Sequence, residues 1–115
     1  MASTYLRAHE PRPLATGMTQ AREQVADLGA YRQLNIDTRV LKAGTGTGGA
    51  TLILEHAAVN EDGAFRAITG ASWVIDANGV GGYLEVTSFL CFVRWNTVGT
   101  IAGGPVAVID IVAKS

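Results

Sequence analysis

The residues able to do chemistry fall into a few groups, and the densest is in "LKAGTGTGGATLILEH", Leu41 to His56, where every position from Gly44 to Gly49 is glycine or threonine. A phosphate-cradling loop needs backbone amides turned into a nest, a helix N-terminus behind it and, in the Walker case, a lysine followed by serine or threonine. Here the glycines lie between two strand patterns, no such lysine follows, and Lys42 precedes them. The stretch therefore reads as a solvent-facing hairpin tip. Glu55, Glu61, Asp62, Asp76 and Glu85 could supply the pair of carboxyls a glycosidase needs, but all lie at turns or strand ends, where acids are ordinary. His9, His56 and Cys91 have no metal-ligand spacing, so no metal and no cofactor are expected. With one cysteine there is no intramolecular disulfide, and Cys91 reads as a small buried hydrophobe.

Aromatic side chains offer a different chemistry, stacking against sugar. Trp95 is in phase with Phe89 and Val93, which assigns it to the core; Trp73 and Tyr83 lie near turns and are the candidate glycan contacts. Asp110 is set among valines on its strand face, where a carboxylate needs a partner, and Arg94 or Arg39 is the expected one. Such a pair reads as structural rather than catalytic.

Strands are the elements that position these groups. "YRQLNIDTRV" alternates Leu34, Ile36, Thr38 and Val40 against Gln33, Asn35, Asp37 and Arg39, the pattern of a strand with one wet face. "ATLILEHA" follows, then "AFRAIT", "SWVID" and "GYLEV", separated by turn signals at Asn60 to Gly63, Gly70 and Asn78-Gly79. Two longer runs, "SFLCFVRWNTV" and "PVAVIDIVA", close the chain. Helical signal is confined to "MTQAREQVADLG", where Thr19 could cap a turn or two. Upstream, Pro11 and Pro13 favour extended backbone, so residues 1–17 read as an extended N-terminal arm and 18–115 as a single domain. Seven to eight short strands with glycine turns predict an all-β, antiparallel β-sandwich of jelly-roll type.

The last two strands have apolar residues on both faces. Leu90 and Phe92 lie opposite Phe89, Cys91, Val93 and Trp95; Ile109 and Ile111 lie opposite Val106, Val108 and Val112. Contiguous apolar surface left wet marks an interaction site. Tyr5, Leu6 and Leu14 of the arm, with Leu90, Phe92, Ile109 and Ile111, are accordingly the candidate subunit contacts.

Composition narrows the partners. Nine basic against ten acidic residues give a formal charge of −1, with no electrostatic footprint for nucleic acid or an anionic membrane. No apolar run approaches the ~18 residues of a membrane span, and "MASTYLRAHEPRPL" lacks the charged-then-apolar order of a secretory signal, so a soluble protein made in the cytoplasm is expected.

The order of "VADLGAYRQLNIDTRVLKAG", "ATLILEHAAVNEDGAFRAIT" and "FLCFVRWNTVGTIAGGPVAVIDIVAK" resembles small β-sandwich structural virion proteins of tailed phages and related elements. In these a "DL..Y..L.." strand, a "hS..n...F" segment and a late "R..RW" strand recur. The resemblance runs from about Val25 to the C-terminus and departs at "SFLCFVRW", where Leu90 and Cys91 replace a polar or basic lead-in. It implies a noncatalytic subunit of decoration, minor capsid or head-tail type, located in the shell, with copies of itself and a larger shell or capsid protein as partners. It carries no site residues. The alternative function is a carbohydrate-binding sandwich module using Trp73 and Tyr83.

Overall fold

The computed structural model describes residues 3–115. Eight strands, β1 (Ser3–Pro13), β2 (Ala26–Asp27), β3 (Gln33–Lys42), β4 (Thr51–Ala57), β5 (Arg66–Val74), β6 (Gly82–Val86), β7 (Phe92–Val98) and β8 (Val106–Lys114), form two four-stranded antiparallel sheets. The strand orders are β1-β8-β3-β6 and β2-β7-β4-β5. Pairing is nested: first with eighth, second with seventh, third with sixth, fourth with fifth. That nesting is the jelly roll the strand count predicts.

Alternation explains which side of each strand is dry. Leu34 and Ile36 of β3 face inward beside Ala113 and Ile111 of β8, while Leu52 and Leu54 of β4 face them from the other sheet beside Thr97 and Trp95 of β7. Between the sheets all of these but the buried polar Thr97 form one apolar core, with Leu28, Ile68 and Ile75.

Several expectations change. Residues 3–13 are extended, but they are an edge strand hydrogen-bonded to β8, so the described part of the 1–17 arm belongs to the sandwich; Leu14 is buried in the core and donates its N–H to the Pro105 carbonyl at 2.8 Å. Met1 and Ala2 lie outside the described residues. The glycine stretch is no hairpin tip, because β3 and β4 belong to different sheets and it carries the chain across between them. Gly70 is not a turn. It lies inside β5 with φ +82°, where the pairing with β4 jumps from Ile53↔Ser72 to Glu55↔Ala67, a bulge that lets one strand replace two expected pieces. The helical signal shrinks to a three-residue 3-10 turn, Arg22–Gln24. Around it the segment from Met18 to Leu28 runs along the free edge of β7, with Gln20 N–H on the Trp95 carbonyl at 3.1 Å and Leu28 N–H on the Cys91 carbonyl at 2.7 Å.

Candidate functional site

The two-faced apolarity of β8 resolves by its place in the sheet. As a central strand, β8 sets Ile109 between His9 and Thr38, and Ile111 between Leu6 and Ile36, all on the inner side. Ile109 and Ile111 are 0% exposed, and with Leu14 they are core residues that cannot meet a subunit. The outward set is Val106, Val108, Asp110 and Val112. Val108 is nonetheless buried, being cross-strand from the long side chain of Arg39. Charged neighbours thus cover what the pattern left bare.

Asp110 is the centre of that outer face. Its Oδ1 accepts from Tyr5 Oη at 2.7 Å and Arg7 Nε at 2.8 Å, and its Oδ2 from Arg39 Nη2 at 3.0 Å. Register puts Arg7 on one side of Asp110 and Asp37 of β3 on the other, with Arg39 one inter-strand diagonal away. Partial burial would raise the Asp110 carboxyl, but hydrogen bonds from Arg7 and Tyr5, with the charge of Arg7 and a bond from Arg39, hold it below the usual carboxylate range. Arg39 is therefore the expected partner. Arg94 is not, because it belongs to the opposite sheet.

Arg94 is the centre of the second outer face. It is cross-strand from Glu55, whose Oε1 accepts from its Nε at 3.1 Å, and Asp62 accepts from its Nη1 at 3.0 Å. The guanidinium carbon stands 4.0 Å above the Phe65 ring. Asp62 and Phe65 come from the β4–β5 connection, which folds over the sheet around the short 3-10 turn Asp62–Ala64. Toward the far end of this face the row Val74, Thr51, Val98 runs across β5, β4 and β7, next to Ser72, Ile53 and Asn96. Val74 and Val98 are exposed.

The glycine crossing is a junction of loops rather than a free tip. Gly44 donates its N–H to the Ile75 carbonyl at 3.0 Å, Thr45 to that of Ala102 at 3.0 Å, and Ala77 donates back to that of Gly46 at 3.1 Å. The buried carboxylate of Asp76 accepts from the Gly49 N–H at 3.0 Å and the Asn78 N–H at 2.9 Å. A Cβ on Gly44 would meet the carbonyl oxygens of Ala102 and Ile75 at 2.7 and 2.8 Å, so only glycine lets three loops come this close. The amides of Gly44, Thr45 and Gly49 are thus spent inside the protein.

Three of the five sequence-derived acids are used in the same way. Glu55 and Asp62 hold Arg94, and Asp76 holds the loops. Glu85 lines a cleft of about 350 Å³ between edge strands β5 and β6, with His56, Thr69 and Ser88. His56 accepts the Leu90 N–H on Nδ1 at 3.1 Å. Among the described residues no three His, Cys, Asp or Glu side chains are grouped to hold a metal. His9, within the segment that reads as an extended arm, is buried against Trp95, and nothing in "HEPRP" signals that.

Of the candidate contacts, Tyr5 and Leu90 are exposed, Phe92 is half-buried beside Asp27 and Ala57, and Leu6 is half-buried against the core. Cys91, expected buried, is exposed. Tyr83 is 64% exposed on the outer side of β6, but Trp73 is only 7% exposed, because β5 turns it inward opposite Leu52. Of the two candidate glycan contacts, Tyr83 alone is exposed.

Fold and surface together define a jelly-roll sandwich with two braced outer faces. No family model and no curated protein matches the chain. Among solved structures it is similar to the SPBc2 prophage-derived protein YomS, with a TM-score of 0.53 and 16% identity, over 98% of this chain and 94% of that one. A second similar chain comes from Bacillus endospore appendages, described as a novel family of disulfide-linked pili, with a TM-score of 0.48 and 15% identity, over 99% of this chain and 85% of that one. At such identity the likeness to the prophage protein is one of fold. No helix of the described residues is long and apolar enough to cross a membrane.

Proposed function

We propose that the chain is a noncatalytic structural subunit of a virion or virus-like protein shell, of decoration or minor capsid type, that docks on further copies of itself and on a larger shell protein. The observation that supports this reading is how the molecule distributes its chemistry. Its carboxylates and arginines brace one another across strands and its glycine loop is tied down from within, while Tyr5, Val74, Tyr83, Leu90 and Val98 remain in solvent on strand faces and strand ends. A fold so stiffened, with large apolar side chains outside, suits repeated docking better than turnover. The contacts are assigned to Tyr5, Leu90 and Phe92 from the original set, joined by Val74, Tyr83 and Val98; Leu14, Ile109 and Ile111 are withdrawn to the core. The likeness in fold to a prophage-derived protein accords with the reading.

Electron microscopy of the concentrated protein tests it. Ordered multi-copy particles are expected, dispersed by Val98→Asp or Leu90→Asp with the circular dichroism spectrum unchanged. Unaltered particles in both variants would refute the assigned surface.

A further inference from the structure

His9 sits where an ordinary strand would not put it. Tyr5 and Arg7 face outward on β1 while Leu6 and Ala8 pack on the core, so simple alternation would send His9 outward as well. The register with β8 shifts on both sides of it, between Arg7 and His9 and between His9 and Arg12, and the irregularity turns the imidazole inward, to 2% exposure. There Nδ1 lies 2.8 Å from the Ala107 carbonyl oxygen, and the ring meets Trp95 edge to face at 4.7 Å between centroids. A carbonyl only accepts, so Nδ1 carries the proton and Nε2 is a bare acceptor, buried without a partner.

Protonation would place a donor and a charge at Nε2. The other buried side-chain polar atom without a partner among the described residues, Thr38 Oγ1, lies in the same row but across Ile109, about two strand spacings or 10 Å away and out of reach. Ala107 and Ile109 of β8 and Trp95 of β7, which pack around the ring, carry no charge. The charges that act on it come from its own strand, Arg12 and Glu10, and oppose each other. Burial dominates, ahead of the Ala107 bond, and holds the imidazole below its ordinary value of 6.5.

We propose that His9 is an acid-operated latch on β1: protonation undocks this edge strand and uncovers the hydrogen-bonding edge of β8 while the rest of the sandwich stays folded. Undocking is local because β1 has one sheet neighbour only. The exposed β8 edge is then a row of unpaired backbone groups able to take another strand. The undocked ring takes its proton near 6.5, the docked ring only at lower pH, so the undocked state binds more protons below 6.5 and docking weakens as pH falls from there. The Asp110 brace to Arg7 does not interfere, since its carboxyl is held below the usual carboxylate range and keeps its charge through this window.

Amide hydrogen exchange on the full chain from pH 7.5 to 4.5, corrected for intrinsic rates, reads the latch. Amides of β1 and the β1-facing amides of β8 are expected to lose protection by up to about tenfold per pH unit below 6.5, with β4 and β5 unchanged. His9→Phe should flatten that profile, and His56→Gln should leave it as in the parent. Should His9→Phe not fold, the His9 ring signals of the parent decide: a midpoint below 6.5, coincident with loss of β1 protection, is expected. A midpoint near 6.5 with β1 docked throughout, a profile unchanged in His9→Phe, or simultaneous loss in β4 and β5 would overturn the latch.

Discussion

Two arginine–carboxylate clusters brace the opposite outer faces of this sandwich, and they are built the other way round. On one sheet the acid is central: Asp110 gathers Tyr5 and Arg7 from β1 and Arg39 from β3. On the other the arginine is central: Arg94 gathers Glu55 from its neighbouring strand and Asp62 from a loop, with Phe65 against its guanidinium. The first cluster stitches three strands edge to edge and is open above, its two arginines well exposed. The second is roofed, with the Arg94 side chain 10% exposed. The same ion pairing therefore does two different things. It covers the valines of β8 in one case and pins a connection onto a sheet in the other. Burial, not the count of ion pairs, decides how much each contributes.

Substitutions can break that difference in order of size. Arg94→Ala should cost the most, about 3 kcal/mol by chemical denaturation, because it strands a half-buried Glu55 carboxylate and bares Phe65. Combining it with Glu55→Ala should recover part of the loss, and a double variant as unstable as the sum of the singles would show that the two do not act together. Asp110→Asn should cost less, about 1–2 kcal/mol, since the open cluster lets water replace some of the lost bonds. That variant also has a pH signature. The folded-state Asp110 carboxyl is held down, so its contribution is full above the ordinary value of 3.8 and is lost as pH falls through the folded value. Parent and Asp110→Asn stabilities should converge in acid.

Smaller still are the changes that bound the comparison. In the glycine crossing Gly44→Ala should cost about 1 kcal/mol through its collision with two carbonyls, whereas Gly48→Ala, whose Cβ meets open space, should stay within about 0.5 kcal/mol. Equal effects at the two positions, measured by thermal melting, would show that the loop junction is looser than its hydrogen bonds indicate. Last comes Asp37→Asn. Its 3.6 Å pair with Arg39 joins two half-exposed side chains, so under about 0.5 kcal/mol is expected, vanishing in high salt.

How much of this was legible in the residues follows from whether a signal is local. The alternation of β3 gave its two faces residue by residue, since period-two patterning is a local property. That Asp110 needs a partner was legible, because a carboxylate among valines is anomalous wherever it sits; that Arg39 would serve, with Tyr5 and Arg7 beside it, was not. That Arg94 would serve the other sheet was not, because sheet membership depends on pairings distant in sequence. Those pairings also hid β1. Its prolines and charges look like those of an extended arm apart from the core, yet they suit an edge strand with one neighbour. Assigning Ile109 and Ile111 outward failed for a related reason: both faces of β8 are apolar, and only its central place between β1 and β3 decides which one is dry. Trp73 was misplaced because nearness to a turn says nothing of which way a bulged strand points its side chain. Gly44 gave no sign of its junction, since the carbonyls it faces arrive from loops more than twenty-five residues away.

The proposed shell role is tested most directly by sedimentation velocity of the full chain at neutral pH, over protein concentrations from micromolar to hundreds of micromolar. The account predicts species heavier than the 12.0 kDa chain that grow with concentration and shrink in Val98→Asp. A single 12.0 kDa species at every concentration would contradict it.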